Sequence, residues 1–342
     1  MWGKAISGPN YEVGNALTVD GSGNVYITGF FRSSVDFDPG SGSSFLTSAG
    51  WSDIFICKLT STGTLSWAKR IGDINYEEGK AITADASGNI YITGYFMNAP
   101  DFDPGTGTTT LTSMGGYDVY VGKYNSSGAL VWAKSFGAST EENATSIDLD
   151  ATGNVYTTGY FYSATDFNPG TGTYTLTPVG NNDAFISKLD ASGNFVWAKK
   201  MGGSSFDFGT SLTIDLSGSV IAVGYFQGTG DFDPGSAVYN LTSAGSYDMY
   251  VSKSQSTTEI LSADVAFGKN IVYPNPATEQ ITVRGEKIAS IEIYSITGQL
   301  LKSEITNNTD EVAIPVTELG NGFYFLRIME GNNSSIVKFV KQ

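Results

Sequence analysis

GKAITADASGNIYITGYF, residues 79–96, and DVYVGKYNSSGALVWAKSFG, residues 118–137, decide the fold of this chain. In the first stretch, β-branched and aromatic residues flank a turn at Ala86-Ser87-Gly88-Asn89, the pattern of two strands joined tightly. In the second, Val119 and Val121, then Leu130 and Trp132, keep strand alternation around the turn Asn125-Ser126-Ser127-Gly128. Each stretch reads as an antiparallel hairpin, so the unit supplies four strands.

The same unit recurs in both directions at a step of 65 residues. Trp2, Trp67, Trp132 and Trp197 mark it, as do Asp20, Asp85, Asp150 and Asp215, then Asp53, Asp118, Asp183 and Asp248, then Lys58, Lys123, Lys188 and Lys253. A supersecondary unit that cannot bury its apolar face alone must stack on its neighbours. Four-stranded units in tandem point to an all-β fold of the β-propeller type, whose blades usually take ~40–50 residues. The surplus lies between the second and third strands, as in MNAPDFDPGTGTTTLTSMGG (97–116), where Leu46, Leu111, Leu176 and Leu241 stay in register. That loop is expected to be ordered and to carry an extra short hairpin.

The fourth unit has Ser262 where its tryptophan belongs, while the chain opens with an orphan outer strand around Trp2. Residues 1–7 are therefore expected to complete the blade begun at 209–253 and to close four blades into a ring. The rival reading is an array cut from a larger propeller.

Composition narrows the function. The formal charge is −15, from 19 basic and 34 acidic residues, and residues 1–270 hold 13 and 26 of these. Nucleic acid and anionic membrane surfaces are excluded as partners, whereas cations, basic proteins and neutral glycans fit. With no histidine, Ser-His-Asp and Cys-His catalysis and His-ligated metals are unavailable. The lone Cys57 has Gly122, Ser187 and Ser252 as counterparts, which marks a small packed position. No apolar run reaches the ~20 residues of a membrane span.

The most conspicuous loop motif is Asp36-Phe37-Asp38-Pro39-Gly40, repeated at 101–105, at 166–170 with Asn168 in the middle, and at 231–235. Carboxylates at alternate positions could converge on calcium, with Asp36, Asp38, Asp101, Asp103, Asp166, Asp231 and Asp233 as ligands. The same spelling also makes a tight turn, in which Asp accepts backbone hydrogen bonds, Pro sets φ and Gly follows. No other cofactor is expected. Glu12, Glu77, Glu142 and Asp207 lie in the connections between units, and are expected to share a rim with these loops as a ring of negative potential. Asp20, Asp85, Asp150 and Asp215 should cap the turns that follow them. Because a catalytic carboxylate pair needs unlike environments, units so evenly repeated are expected to be non-enzymatic. A glycan hydrolase or lyase using rim carboxylates is the alternative.

The unit pattern D-x-S-G-N-x-Y-x-T-G, then D-x-(F/Y)-(I/V)-x-K-(L/Y) and V-W-A-K-x-x-G, resembles the SBBP family of β-propeller repeats over residues 1 to about 253. The resemblance implies an extracytoplasmic propeller and brings no catalytic residues. SQSTTEILSADVAFGKN (254–270) reads as a linker. Residues 271–342 alternate in short segments separated by Gly, Asn and Pro, which suggests a small Ig-like β-sandwich of about seven strands.

Three stretches of this tail, VYPNPATEQITV (272–283), IEIYSITGQLL (291–301) and GFYFLRIMEGNNSSIVKFVKQ (322–342), resemble the type A C-terminal sorting domain of the type IX secretion system. On that resemblance Pro274, Asn275 and Pro276 set the entry turn, Gly298 a hairpin turn, Gly322 and Tyr324 begin the penultimate strand, and Lys338 and Lys341 form a basic end. The implied partners are an outer-membrane translocon and its sorting protease. The implied destination is the medium or the surface of a Gram-negative, Bacteroidota-type cell. Since MWGKAISG carries no signal peptide, either the start is misassigned or the chain is an N-terminally truncated piece of a longer precursor. The function expected is a secreted or surface-displayed binding or adhesion scaffold, whose loop face meets a glycan or protein ligand.

Overall fold

The computed structural model describes residues 1–215, 217–235, 237–254, 271–295, 300–330 and 333–342. It forms two compact units, 1–257 and 258–342. The segment expected to be a linker lies, from residue 255 onward, outside the described residues.

In the first unit the repeat becomes successive antiparallel sheets. The first blade runs Glu12–Val19, Val25–Phe31, Asp53–Leu59, Leu65–Ile71, and the second Glu77–Ala84, Ile90–Phe96, Asp118–Tyr124, Leu130–Phe136. The third runs Glu142–Leu149, Val155–Phe161, Asp183–Leu189, Phe195–Gly203. The fourth has three strands, Asp207–Ile214, Val220–Phe226 and Asp248–Ser254. Residues 1–6 form no strand and do not pair with Asp248–Ser254, so the expected completion of the fourth blade is not what the structure shows. Ser7 instead bridges Asp36 of the first blade.

Local chemistry explains the repeated Thr-Gly of the second strands. Each first strand carries a bulge, as between Gly79 and Ala81, which pushes a carbonyl toward the neighbouring strand. A Cβ on Gly94 would lie 1.9 Å from the Glu78 carbonyl oxygen, so only glycine fits. The expected extra hairpin is present in the surplus loop: Ser34–Asp36 pairs with Phe45–Thr47, and Thr229–Asp231 with Asn240–Thr242.

Stacking the blades buries their apolar faces. Ile54 and Ile56 of the first blade share a core with Ile82, Ile90 and Ile92 of the second, and Val119 and Val121 of the second share one with Ile147 of the third. Cys57 is fully buried in the first blade, and burial pushes its thiol up to about 12. The tryptophans reach from each outer segment to the next blade. Trp67 Nε1 donates to the Ser126 carbonyl at 3.2 Å, Trp132 to Ala191 at 3.3 Å, and Trp2 to Ser61 at 3.1 Å.

The second unit has five strands among its described residues, where about seven shorter ones were expected: Ile271–Tyr273, Gln280–Ser295, Leu300–Pro315, Gly322–Glu330 and Asn333–Lys341. The difference has a physical cause. Gln280–Ser295 passes through bulges at Arg284/Ile288 and Ile288/Ser290, so one long strand bends where two short ones were read. Its early part pairs with Ile271–Tyr273 and its late part with Gly322–Glu330. Ile281, Val283, Ile291, Ile293, Leu326, Ile328 and Phe339 form its core.

Candidate functional site

The DFDPG loops are held by their own backbone. Asp36 Oδ1 accepts the N–H groups of Asp38 at 3.0 Å and Ser44 at 2.8 Å, and Asp38 Oδ1 accepts that of Gly40 at 2.8 Å. Asp101 and Asp103, Asp166, and Asp231 and Asp233 repeat the pattern. Asn168, uncharged, accepts the Gly170 N–H at 2.8 Å just as Asp38 does for Gly40, so this position requires an acceptor and not a charge. Among the described residues no three acidic, cysteine or histidine side chains converge on one point. The residue that anchors each loop is the central phenylalanine. Phe37, Phe102 and Phe167 are fully buried, each edge-on to a second-strand phenylalanine at 5.3–5.4 Å. Reading the motif for its acids missed this.

The capping acids behave as expected. Asp20 Oδ1 accepts the N–H groups of Ser22 and Asn24, both at 2.9 Å, and the side-chain bond from Asn24 leads the effects that hold its carboxyl down at about 2. Tyr26 donates to Asp20 at 3.1 Å, while Lys58 Nζ lies 4.8 Å from the Tyr26 ring centroid. Asp150, Tyr156 and Lys188 repeat this arrangement, which accounts for the repeated lysines as partners of the turn.

Of the four connection acids read as a rim of negative potential, Glu12 is half-buried and the other three are inside the molecule. Glu77, Glu142 and Asp207 are completely buried, facing Asp53, Asp118 and Asp183 of the preceding blades, which are buried too. The backbone joins them: Glu77 N–H donates to the Ser52 carbonyl at 3.0 Å, and Asp207 N–H to that of Asn182 at 3.1 Å. Desolvation pushes Glu77 up to about 9, Asp118 to about 7 and Asp207 to about 6. These junctions are not equivalent. Arg70 contacts Asp53 at 2.6 Å and Lys200 contacts Asp183 at 3.5 Å, but the same place in the second blade holds Ser135. Oδ1 of Asp118 and of Asp183 is buried with no hydrogen-bond partner, but only Asp183 has a cation beside it.

One cleft breaks the repeat on the surface. It is lined by Asn10, Arg32, Ser33, Gly50, Trp51 and Ile74 and measures about 280 Å³. Trp51 is 61% exposed and stacks on Tyr76, with centroids 5.6 Å apart and planes at 16°. The Arg32 guanidinium lies over Tyr11 at 5.5 Å and Tyr76 at 6.0 Å, and its Nε is buried without a hydrogen-bond partner. Trp51 is replaced by Gly116, Asn181 and Ser246 in the other units, and Arg32 by Met97, Tyr162 and Gln227. Sequence reading passed over it, although the fifth tryptophan, out of step with the other four, was the available signal.

In the tail, Pro274 and Pro276 both follow cis peptide bonds, and Asn275 Oδ1 accepts the Val340 N–H at 2.9 Å. The entry turn is thereby tied to the last strand. Gly322 opens the penultimate strand. Tyr324 stacks on Phe339 at 5.5 Å and donates to the Gly320 carbonyl at 2.8 Å. Lys341 is buried, with Nζ donating to Gln342 O at 2.6 Å, and Lys338 pairs with Phe325 in the strand register. Gly298 lies outside the described residues.

Comparison with known proteins agrees with both halves. Residues 271–342 match the secretion system C-terminal sorting domain, and residues 66–95 match the SBBP β-propeller repeat. The chain is 29% identical over 200 residues to an uncharacterized WD repeat-containing protein of Acanthamoeba polyphaga mimivirus, covering 51% of this chain and 14% of that one. It is 23% identical over 270 residues to the regulatory protein FlaEY of Caulobacter vibrioides, covering 76% of this chain and 26% of that protein. The chain thus spans about a quarter or less of the length of these relatives. A crystal structure of a protein of unknown function from Bacteroides caccae is similar at 10% identity and a TM-score of 0.32, over 84% of this chain and 83% of that one. With four in-register units and the matched tail, the chain carries β-propeller repeats of the SBBP type followed by a C-terminal sorting domain of the type IX secretion system.

Proposed function

We propose that the chain is a non-enzymatic binding scaffold, presented outside the cell, whose first-blade cleft takes a sugar ring of an extracellular glycan. The sorting tail implies secretion by the type IX route, to the cell surface or the medium. The observation that carries the binding role is the exposed Trp51–Tyr76 stack beside Arg32. An aromatic face open to solvent binds the apolar face of a sugar, Asn10 and Ser33 offer hydrogen-bonding groups, and the positive charge of the Arg32 guanidinium favours a sugar that bears a carboxylate. A catalytic role for the junction acids is disfavoured by their burial, which keeps a polymer away from Glu77, Asp118 and Glu142.

Calorimetric titration with neutral and uronate-containing oligosaccharides tests this. Uronate oligosaccharides should bind, and Trp51→Ala should weaken binding about tenfold or more. Equal affinity in the wild type and Trp51→Ala would sink the cleft as the site. Cleavage of the oligosaccharides by the purified chain would replace the scaffold with an enzyme.

A further inference from the structure

We infer that the first-blade cleft is one end of a longer tract, and that its ligand is a mixed glycan chain in which a uronate at Arg32 is followed by neutral sugars along the second and third blades. This deepens the reading of the cleft as a sugar site and rests on it. A run of aromatic side chains leaves the cleft along one end of the blades, where second strands finish, third strands begin and units connect. Trp51 stacks on Tyr76 at 5.6 Å, Tyr117 meets Tyr95 at 4.7 Å, and Tyr160 meets Tyr162 at 5.8 Å. Their electrostatics join these pairs into one row. Burial pushes the Tyr117 hydroxyl up, and the neighbouring Glu141, Tyr76 and Glu78 add to the rise. Burial does the same to Tyr95, where Glu78, Tyr117 and then Tyr160 add to it. The row therefore passes from Trp51 in the first blade, through Tyr76, Tyr117 and Tyr95, to Tyr160 and Tyr162 in the third. All but Trp51 are half-buried, so the rings are held by their neighbours and bind a sugar with little loss of freedom.

The row runs through positions at which the units differ. Packing is the same task in every unit, and the buried Phe31, Phe96, Phe161 and Phe226 meet it with the same residue each time. Tyr117 instead has Ser52 and Asn182 among its counterparts, and Tyr162 has Arg32, Met97 and Gln227. Side chains that vary on a constant scaffold, and that gather in one place, suit recognition better than packing. Charge along the row decides which sugar goes where. The Arg32 guanidinium stands over Tyr76 at the cleft end, and attracts a carboxylate. Beside Tyr117, Glu78 is paired with Lys80 at 2.8 Å, which leaves the exposed Glu141 to set the sign. A second uronate would be repelled there, whereas the hydroxyls of a neutral sugar can donate to Glu141.

Calorimetry on the full chain tests the tract with three probes: a uronate–hexose disaccharide, the same uronate extended by further neutral hexoses, and a uronate-only chain of that longer length. The extended mixed chain should bind the wild type about tenfold tighter than the disaccharide, since it reaches more of the aromatic row. Tyr162→Ala, β-rich by circular dichroism, should weaken the extended chain about three- to tenfold and leave the disaccharide unchanged. Trp51→Ala should weaken both. Tyr162→Phe keeps the ring and should keep the affinity. Glu141→Gln should narrow the preference for the mixed chain over the uronate-only chain. A disaccharide that binds as tightly as the extended chain, still weakened by Trp51→Ala, would overturn the tract and leave the cleft standing. Equal loss of both ligands in Tyr162→Ala would also overturn the tract, because a disturbed fold and not a separate contact would explain it. A wild type that prefers the uronate-only chain would overturn the order of sugars. No binding of any probe would overturn the tract and the cleft together.

Discussion

Asp118 shows how one residue can break an even repeat. Its counterparts Asp53 and Asp183 have Arg70 and Lys200 beside them, while Asp118 has Ser135. Its carboxyl rises from 3.8 to about 7 on folding. Between those pH values the folded chain holds a proton that the unfolded chain has lost, so stability falls as pH rises from about 4 to about 7, and stays reduced above that. Asp20 and Asp150 have the opposite sign. Held at about 2, they contribute stability above the ordinary carboxylate range that is lost as pH falls through about 2. Asp118→Asn should therefore raise the melting temperature at pH 8 and leave it nearly unchanged at pH 4. Ser135→Lys should supply the missing cation and stabilise at pH 8 by about 1–2 kcal/mol, an effect that shrinks toward pH 5. Thermal melts across pH 4–9 check both, and a flat difference between wild type and variants would refute the assignment of the titrating group.

Among the elements, the outer hairpin of each blade is where neighbours lock. Gly128 has φ of 77°, and a Cβ there would sit 3.1 Å from the Trp67 ring. Two separate costs meet at this turn, a left-handed backbone and a displaced indole. Gly128→Ala should destabilise the array by about 1–2 kcal/mol and change the tryptophan fluorescence; Gly21, with nothing near its Cβ position, is the matched control. Such hairpins were fully legible in the sequence, because turn chemistry is local and Asp-x-Ser-Gly-Asn spells its own hydrogen bonds. The surplus loop was half legible. Its hairpin followed from Leu46 and its counterparts, but the acids of DFDPG drew attention from the phenylalanine that binds it to the blade. Among the described residues of the tail the strands are fewer and longer than expected, since alternation cannot distinguish a strand that ends from one that bends at a bulge.

At the scale of the whole molecule, the chain divides into two compact units, the repeat array and the sorting tail. Deleting residues 271–342 should leave the array folded, with its circular dichroism spectrum β-rich, and abolish its appearance outside a cell that has the type IX route. Cargo that still reached the surface, followed by fractionation and immunoblot, would refute the tail as the address. The candidate cleft belongs to this scale too, because Asn10 and Arg32 meet Trp51 and Ile74 only once the chain has passed through the first blade into the second. No local pattern contains those residues together.

The sequence by itself determined the 65-residue period, the strands and turns within each unit, the ordered loop and the sorting tail, because alternation, turn residues and caps act over a few neighbours. Only the tertiary structure decided which acids lie inside the junctions and which phenylalanine anchors each loop. Those properties depend on what is stacked against a residue from a full repeat away. Leu17, Met249 and Val251 are exposed although the positions one repeat away from each are buried.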